Sequence, residues 1–174
     1  MTISVATQEQ LPVIRDLAFK IWPQTYGTIL SNDQFDYMME MMYSIESLEK
    51  QIETKPFLLV EDERKYIGFA SYELHFKDEN QKKEPNLKQV HIKTKIHKLY
   101  VLSEMQGKGI GKSLVNYIKT IAVQAQNTSL ILTVNRFNKA KDFYLKQGFS
   151  ITEEKQFQIG NGYIMDDYVM ECFF

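Results

Sequence analysis

Cysteine is nearly absent from this chain of 174 residues: Cys172 stands alone, beside one tryptophan and three histidines. A single thiol forms no internal disulfide, which excludes a disulfide-stapled secreted scaffold and suits a reducing cytoplasm. Nothing near Cys172 in sequence would activate a thiolate, so it reads as a small buried hydrophobe in a C-terminal strand. An excess of either charge is also missing. The 21 Lys and Arg stand against 22 Asp and Glu, a formal net charge of −1. No global basic field therefore draws the chain to nucleic acid or an anionic membrane. No apolar run approaches the roughly 18 residues of a membrane span. The start, MTISVATQEQ, has no basic region followed by an apolar one, so no secretory signal is expected and the chain reads as cytoplasmic. His75, His91 and His97 lack compact spacing with acidic residues, so no metal site is expected.

What is present is the composition of a globular protein. The hydrophobic fraction of 44% against 25% charged is enough for one sizeable core, and a single domain over 1–174 is expected. After a short strand signal at Ile3–Ala6, Thr7 and Gln10 have capping-box spacing, and Leu11, Ile14, Leu17, Ala18 and Ile21 form one helical face that Pro23 ends or bends. Ser31–Gln34 repeats the capping spacing before a run rich in methionine and aromatic residues, and Ser44 caps a further short helix. The methionines from Met38 to Met42 read as adaptable core packing or as a pliable substrate wall. Pro56–Glu61 and Tyr66–Phe76 read as a hairpin, and charged Lys77–Lys88 as a surface loop.

His91–Leu102 alternates as a long strand. Ile96, Tyr100 and Leu102 are expected on one face, and His97, Leu99 and Val101 on the other. An amphipathic helix follows with Ile110, Leu114 and Ile118 on its stripe, then a short apolar strand at Ser129–Val134, a helix over Asn138–Gln147, and two closing strands, Phe149–Lys155 and Tyr163–Phe173. Strand–helix–strand from His91 to Val134 predicts a right-handed parallel crossover, and the flanking hairpins predict antiparallel neighbours. The expected architecture is an α/β (α+β) fold: a mixed, mostly antiparallel sheet of six to seven strands with helices on both faces.

Between the long strand and its helix lies Gln106-Gly107-Lys108-Gly109-Ile110-Gly111-Lys112. Backbone N–H groups of such a turn, with the positive end of a helix dipole behind them, make a phosphate site. Spacing separates three patterns. A nucleotide P-loop needs glycine where Gln106 stands, and a dinucleotide fingerprint needs glycine where Lys112 stands. The pattern Q/R-x-x-G-x-G/A at the opening of a helix fits without a gap.

Leu99-Tyr100-Val101 followed by Gln106–Gly111 resembles the acetyl-CoA motif of the GNAT superfamily of N-acetyltransferases. The later run from Leu132 to Ala140, through Asn135 and Asn138, and then Phe143–Phe149 is similar to that family's second signature. The element order and the two motifs together imply the acyl-CoA N-acyltransferase fold. The resemblance implies acetyl-CoA as cofactor and direct transfer of its acetyl group to a primary amine of a small molecule or peptide, without a covalent enzyme intermediate. It implies further that backbone groups of Leu99, Tyr100 and Val101 bond the pantetheine arm and that backbone N–H groups from Gln106 through Lys112, with Lys108 and Ile110 among them, hold the pyrophosphate. Asn135 or Asn138 would contact the cofactor, and Tyr144 would be the general acid for the departing thiolate.

The base is less defined. Many members of the family carry Glu two residues before the position of Leu99; here His97 stands there, and an imidazole titrating near neutrality suits the task. On the acceptor side, Trp22, Tyr26 and Tyr37 from the first helices and Glu153, Glu154, Asp166 and Asp167 from the last hairpin are candidates, Trp22 and Tyr26 foremost. The helical run after Ser31 gives a loose resemblance to polyamine-acetylating members. A homodimer is compatible with the reading; nucleic acid and membrane are not expected as partners. The alternative is a non-catalytic acyl-CoA sensor or partner-binding module on the same fold.

Overall fold

The structure, a computed structural model, describes residues 1–77 and 92–174. The expected surface loop, apart from Lys77, and His91 lie outside the described residues. Strand β1 (Thr2–Val5) leads through a one-turn 3₁₀ helix into α1 (Leu11–Tyr26), α2 (Asn32–Tyr43) and α3 (Ile45–Ile52). Strands β2 (Phe57–Asp62), β3 (Lys65–Phe76) and β4 (Lys93–Val101) follow, then α4 (Ile110–Gln124), β5 (Ser129–Asn135), α5 (Ala140–Lys146), β6 (Ser150–Gly160) and β7 (Tyr163–Phe173).

The predicted helix starts are made by the predicted caps. Thr7 N–H donates to Gln10 Oε1 at 2.9 Å, and the hydroxyls of Ser31 and Ser44 accept from the N–H groups of Gln34 and Ser47, each at 3.3 Å. Pro23 does not end α1. The helix continues one turn to Tyr26, because Gly27 N–H still bonds Pro23 O at 3.0 Å and because Trp22 and Tyr26 are buried against the sheet. Met38 and Met39 are buried in the core beneath α1 and α2.

The seven strands are ordered β1-β2-β3-β4-β5-β7-β6. Only β4 and β5 are parallel, joined by α4; every other pair is antiparallel. The last strand, β7, lies between β5 and β6, so the final hairpin folds back with β6 outermost. Two cores sandwich the sheet. On one face α1, α2 and α3 pack around Ile14, Trp22, Tyr43, Leu48, Phe57 and Phe69. On the other, α4 and Tyr144 of α5 pack around Leu114, Ile118, Leu130, Leu132 and Met170. Among the described residues no helix is long and apolar enough to cross a membrane.

Candidate active site

The site begins where β4 and β5 stop pairing. Their parallel ladder runs only from Lys93↔Ser129 to Ile96↔Leu132. Beyond Ile96, β4 stays with β3 while β5 leaves with β7. The cause is a bulge: Ser71 pairs Lys98 and Tyr72 pairs Ile96, so His97 has no partner across β3. One extra residue reverses the side-chain alternation and bends the strand. The alternation expected from sequence therefore breaks at His97. Ile96 faces the α4 core, but after the bulge Leu99 and Val101 face that core and Tyr100 faces the α1 core. The parted strands open a cleft of about 730 Å³ running from the glycine turn to Tyr144, a size that suits a small-molecule site.

At one end is the glycine turn. Gly107 and Gly109 have φ of +76° and +81°, which only glycine adopts without strain. Gly109 is the residue before α4 and offers no side-chain cap. The first helical bond is Ser113 N–H to Gly109 O at 3.0 Å, so the N–H groups of Ile110, Gly111 and Lys112 have no partner inside the helix. Gly111 lies under the Phe143 ring, where an added Cβ would come within 3.1 Å of it. Gln106 departs from expectation. Its backbone N–H is taken by Ser103 O at 3.2 Å, while its side chain donates to Val101 O at 3.1 Å and ties the turn to β4. Lys112 lines the cleft; the exposed Lys108 side chain rests on Met105.

At the other end three tyrosines converge from both faces of the sheet. Tyr144 comes from α5, Tyr26 from α1 and Tyr100 from β4, and all three line the cleft. Tyr26 and Tyr100 hydroxyls are 3.2 Å apart. Burial pushes the Tyr144 phenol up, and Tyr26 adds to the effect; Tyr100 is raised by burial first, then by Tyr26 and Tyr43. Tyr144 is thus protonated throughout the neutral range. Groups on opposite faces influence one another here because the strands between them have parted.

Trp22 does not line the cleft. It is 2% exposed, donates from Nε1 to Tyr43 Oη at 3.1 Å, and stacks 4.5 Å from the Tyr26 ring. It is the support behind Tyr26 rather than part of the wall. Asn135 is also buried, its Oδ1 accepting from Phe137 N–H at 3.0 Å. Asn138 lines the cleft while its Oδ1 accepts from Ala140 N–H at 2.9 Å and so begins α5. Tyr37 donates to Ile159 O at 2.8 Å and ties α2 to the final hairpin.

His97 lines the cleft with Nε2 2.8 Å from Glu73 Oε2. Burial first, then Lys95, Lys55 and Lys98, push its pKa down to about 3. The Glu73 carboxylate pulls the other way, but one partly exposed acid does not offset enclosure and three ammonium groups. The imidazole is neutral, and the contact is an N–H to carboxylate hydrogen bond. Two further groups carry little signal in sequence. Lys98, which also lines the cleft, is lowered to about 8 by burial and then Lys55, its ammonium bonded to Gln51 Oε1. Asp167 is buried on β7 beside the cleft wall and raised to about 6, by burial and then Asp166. Among the described residues no group of three or more His, Cys, Asp or Glu is placed to hold a metal ion.

The chain is similar to known proteins at two levels. A segment of 59 residues is 41% identical to an uncharacterised N-acetyltransferase of Staphylococcus saprophyticus, and the chain spans 36% of that relative's length. Whole-chain likeness is structural. The PaiA N-acetyltransferase of Thermoplasma acidophilum, solved in complex with coenzyme A, has a TM-score of 0.76 at 23% identity with 100% of both chains covered. A GCN5-related N-acetyltransferase of Rhodopseudomonas palustris has a TM-score of 0.78 at 17% identity, covering 99% of this chain and 95% of its own. The ribosomal-protein-alanine N-acetyltransferase of Brucella melitensis has 0.61 at 23%, with 100% of both covered. These identities speak to the fold, and the sequence pattern of the acetyltransferase (GNAT) domain speaks to descent. That pattern matches residues 28–172, and with the parted strands, the glycine turn and the seven-stranded sheet in place, the chain belongs to the GNAT acetyltransferase family.

Proposed function

We propose that this protein transfers an acetyl group from acetyl-CoA directly to a primary amine of a small molecule or peptide. The observation that carries the reading is one cleft lined by the glycine turn at one end and by a buried phenol, raised in pKa, at the other. The residues fit the cofactor. The turn presents the N–H groups of Ile110, Gly111 and Lys112, which have no partner inside the helix, with open space beside Gly107 and Gly109, where a Cβ meets nothing within 4 Å. The side of β4 facing away from β3 has no strand partner from His97 onward, so Leu99–Val101 accept an extended chain as a sheet edge accepts a strand. The bound cofactor supplies an acyl thioester, whose carbon is open to attack by an amine.

The chain's own residues do the rest. N–H groups of Gly107 through Lys112 hold the phosphates, assisted by Lys112. Asn138 borders the path between turn and tyrosines. Tyr144, protonated at neutral pH, would deliver its phenolic proton to the thiolate as it departs, and the proton that the attacking amine releases would return through water to the phenolate. His97, neutral and fixed by Glu73, accepts a hydrogen bond from an incoming amine in preference to storing a proton. Coenzyme A binding by calorimetry and thiol release from acetyl-CoA across polyamines, aminoglycosides, amino acids and N-terminal peptides test the proposal together. Binding with release for at least one amine class is expected. Binding with no release for any class would replace the enzyme with an acyl-CoA sensor.

A further inference from the structure

We propose that Asp167 is the acceptor-binding carboxylate of this cleft, receiving a cationic nitrogen of the amine; the inference rests on the acetyl-transfer reading and names the class of acceptor. Three acids lie on β7, and two of them have charged donors. Glu171 accepts from Ser129 Oγ at 2.6 Å and from Lys93 Nζ at 3.0 Å. Asp166 accepts from Arg136 at 3.1 Å. Asp167 differs. It is 7% exposed, and its Oδ1 is buried with no hydrogen-bond partner among the described residues. A buried carboxylate oxygen without a donor is costly and is kept where something else supplies the donor.

Its place in the fold says what that is. Asp167 pairs with Asn135 of β5, on the same side of β7 as Met165, which belongs to the α1–α2 core. Thr133 of β5 and Tyr26 of α1 stand beside it, and both line the cleft. The charges around it come from each neighbouring element: Lys95 on β4, Asp166 on β7, Tyr26 on α1, and Lys155 directly across on β6, whose ammonium lies 5.4 Å over the Phe157 ring. Burial and then Asp166 raise its pKa to about 6, against Lys95 and the neutral hydrogen-bond donors Thr133 and Asn135, which leave Oδ1 without a partner. At pH 7.5 it is a carboxylate all the same. An ammonium entering between Thr133 and Tyr26 would give Oδ1 the charged N–H donor it lacks.

The test is calorimetry on the protein saturated with coenzyme A, using 1,4-diaminobutane (dicationic), propylamine (monocationic) and aniline (neutral at pH 7.5). Asp167→Asn keeps the shape and removes the charge. Its diamine affinity is expected to fall about tenfold or more, with coenzyme A and aniline affinities unchanged, and Asp167→Glu is expected to recover part of the loss. Binding of the diamine to the native protein should weaken as pH falls through about 6, and this dependence should vanish in Asp167→Asn. An equal loss for propylamine places the reacting nitrogen at Asp167; a loss confined to the diamine places its second nitrogen there. No diamine binding by the native protein, unchanged binding by Asp167→Asn, or equal losses for aniline would overturn the assignment. Thiol release with Asp167-independent binding leaves the transfer reading and removes this one. Asp167-dependent binding without thiol release does the reverse.

Discussion

Asp167→Asn should make the resting protein more stable, by an amount that depends on pH in a defined way. The native carboxyl moves from 3.8 to about 6 because it is buried and, second, because the charge of the adjacent Asp166 opposes its own. At about 1.4 kcal/mol for each tenfold in proton affinity, the charged form costs the fold about 3 kcal/mol, and residual solvent contact brings that to about 2–3 kcal/mol. The sign follows from linkage. Below pH 3.8 the carboxyl is protonated in folded and unfolded chains alike, and the variant gains nothing. Between about 4 and 6 the unfolded chain releases the proton while the folded one keeps it, so the native protein loses stability as pH rises. Above about 6 both are ionised and the penalty is constant. Urea unfolding of both proteins from pH 4 to pH 8, without cofactor, reads the difference directly. It should be near zero at pH 4, rise through pH 5 to 6, and level off with the variant more stable. A variant less stable at pH 7.5, or a difference independent of pH, would refute the reasoning, because it would mean that Oδ1 is solvated or partnered in solution.

The remaining expectations concern the cleft and the sheet. Tyr144→Phe should lower kcat by about 10²–10⁴ with coenzyme A affinity nearly kept; unchanged turnover would remove the phenol from the reaction. Gly109→Asp should abolish coenzyme A binding by calorimetry, since φ of +81° strains any side chain and the new carboxylate repels phosphate; normal binding would mean the phosphates lie elsewhere. Gly68→Ala should unfold at lower temperature, because its Cβ would stand 2.7 Å from the Tyr100 carbonyl oxygen across the β3–β4 ladder; an unchanged melting temperature in a thermal scan would show that the two strands separate freely there.

Much of the chain could be read before its structure, because the signals were local. Capping residues at Thr7, Ser31 and Ser44 reported helix starts through bonds to neighbours three residues away. The glycines of the turn reported a backbone conformation that other residues avoid. The parallel crossover followed from the order strand, helix, strand. Of the two outcomes expected at Pro23, an end to the helix does not occur: the missing N–H is a local cost, while the burial of Trp22 and Tyr26 that carries α1 past it is not local. The bulge at His97 was invisible because inserting one residue into a pairing leaves no mark on either strand's composition; it exists only in the register with β3.

The sequence by itself determined most elements, the crossover and the conformation of the turn, since each depends on propensities and spacings within a few tens of residues. Tertiary structure decided where the turn's cleft leads. It parted β4 from β5 beyond Ile96, brought Tyr26 and Tyr144 from opposite faces into one cleft, withdrew Trp22 behind the wall, and placed β7 beside β5 so that Asp167 lies buried next to the cleft without a donor for Oδ1. Desolvation, which sets the pKa of His97, Lys98, Tyr144 and Asp167, is a property of what surrounds a group in space. For these four groups, those surroundings come from parts of the chain far away in sequence.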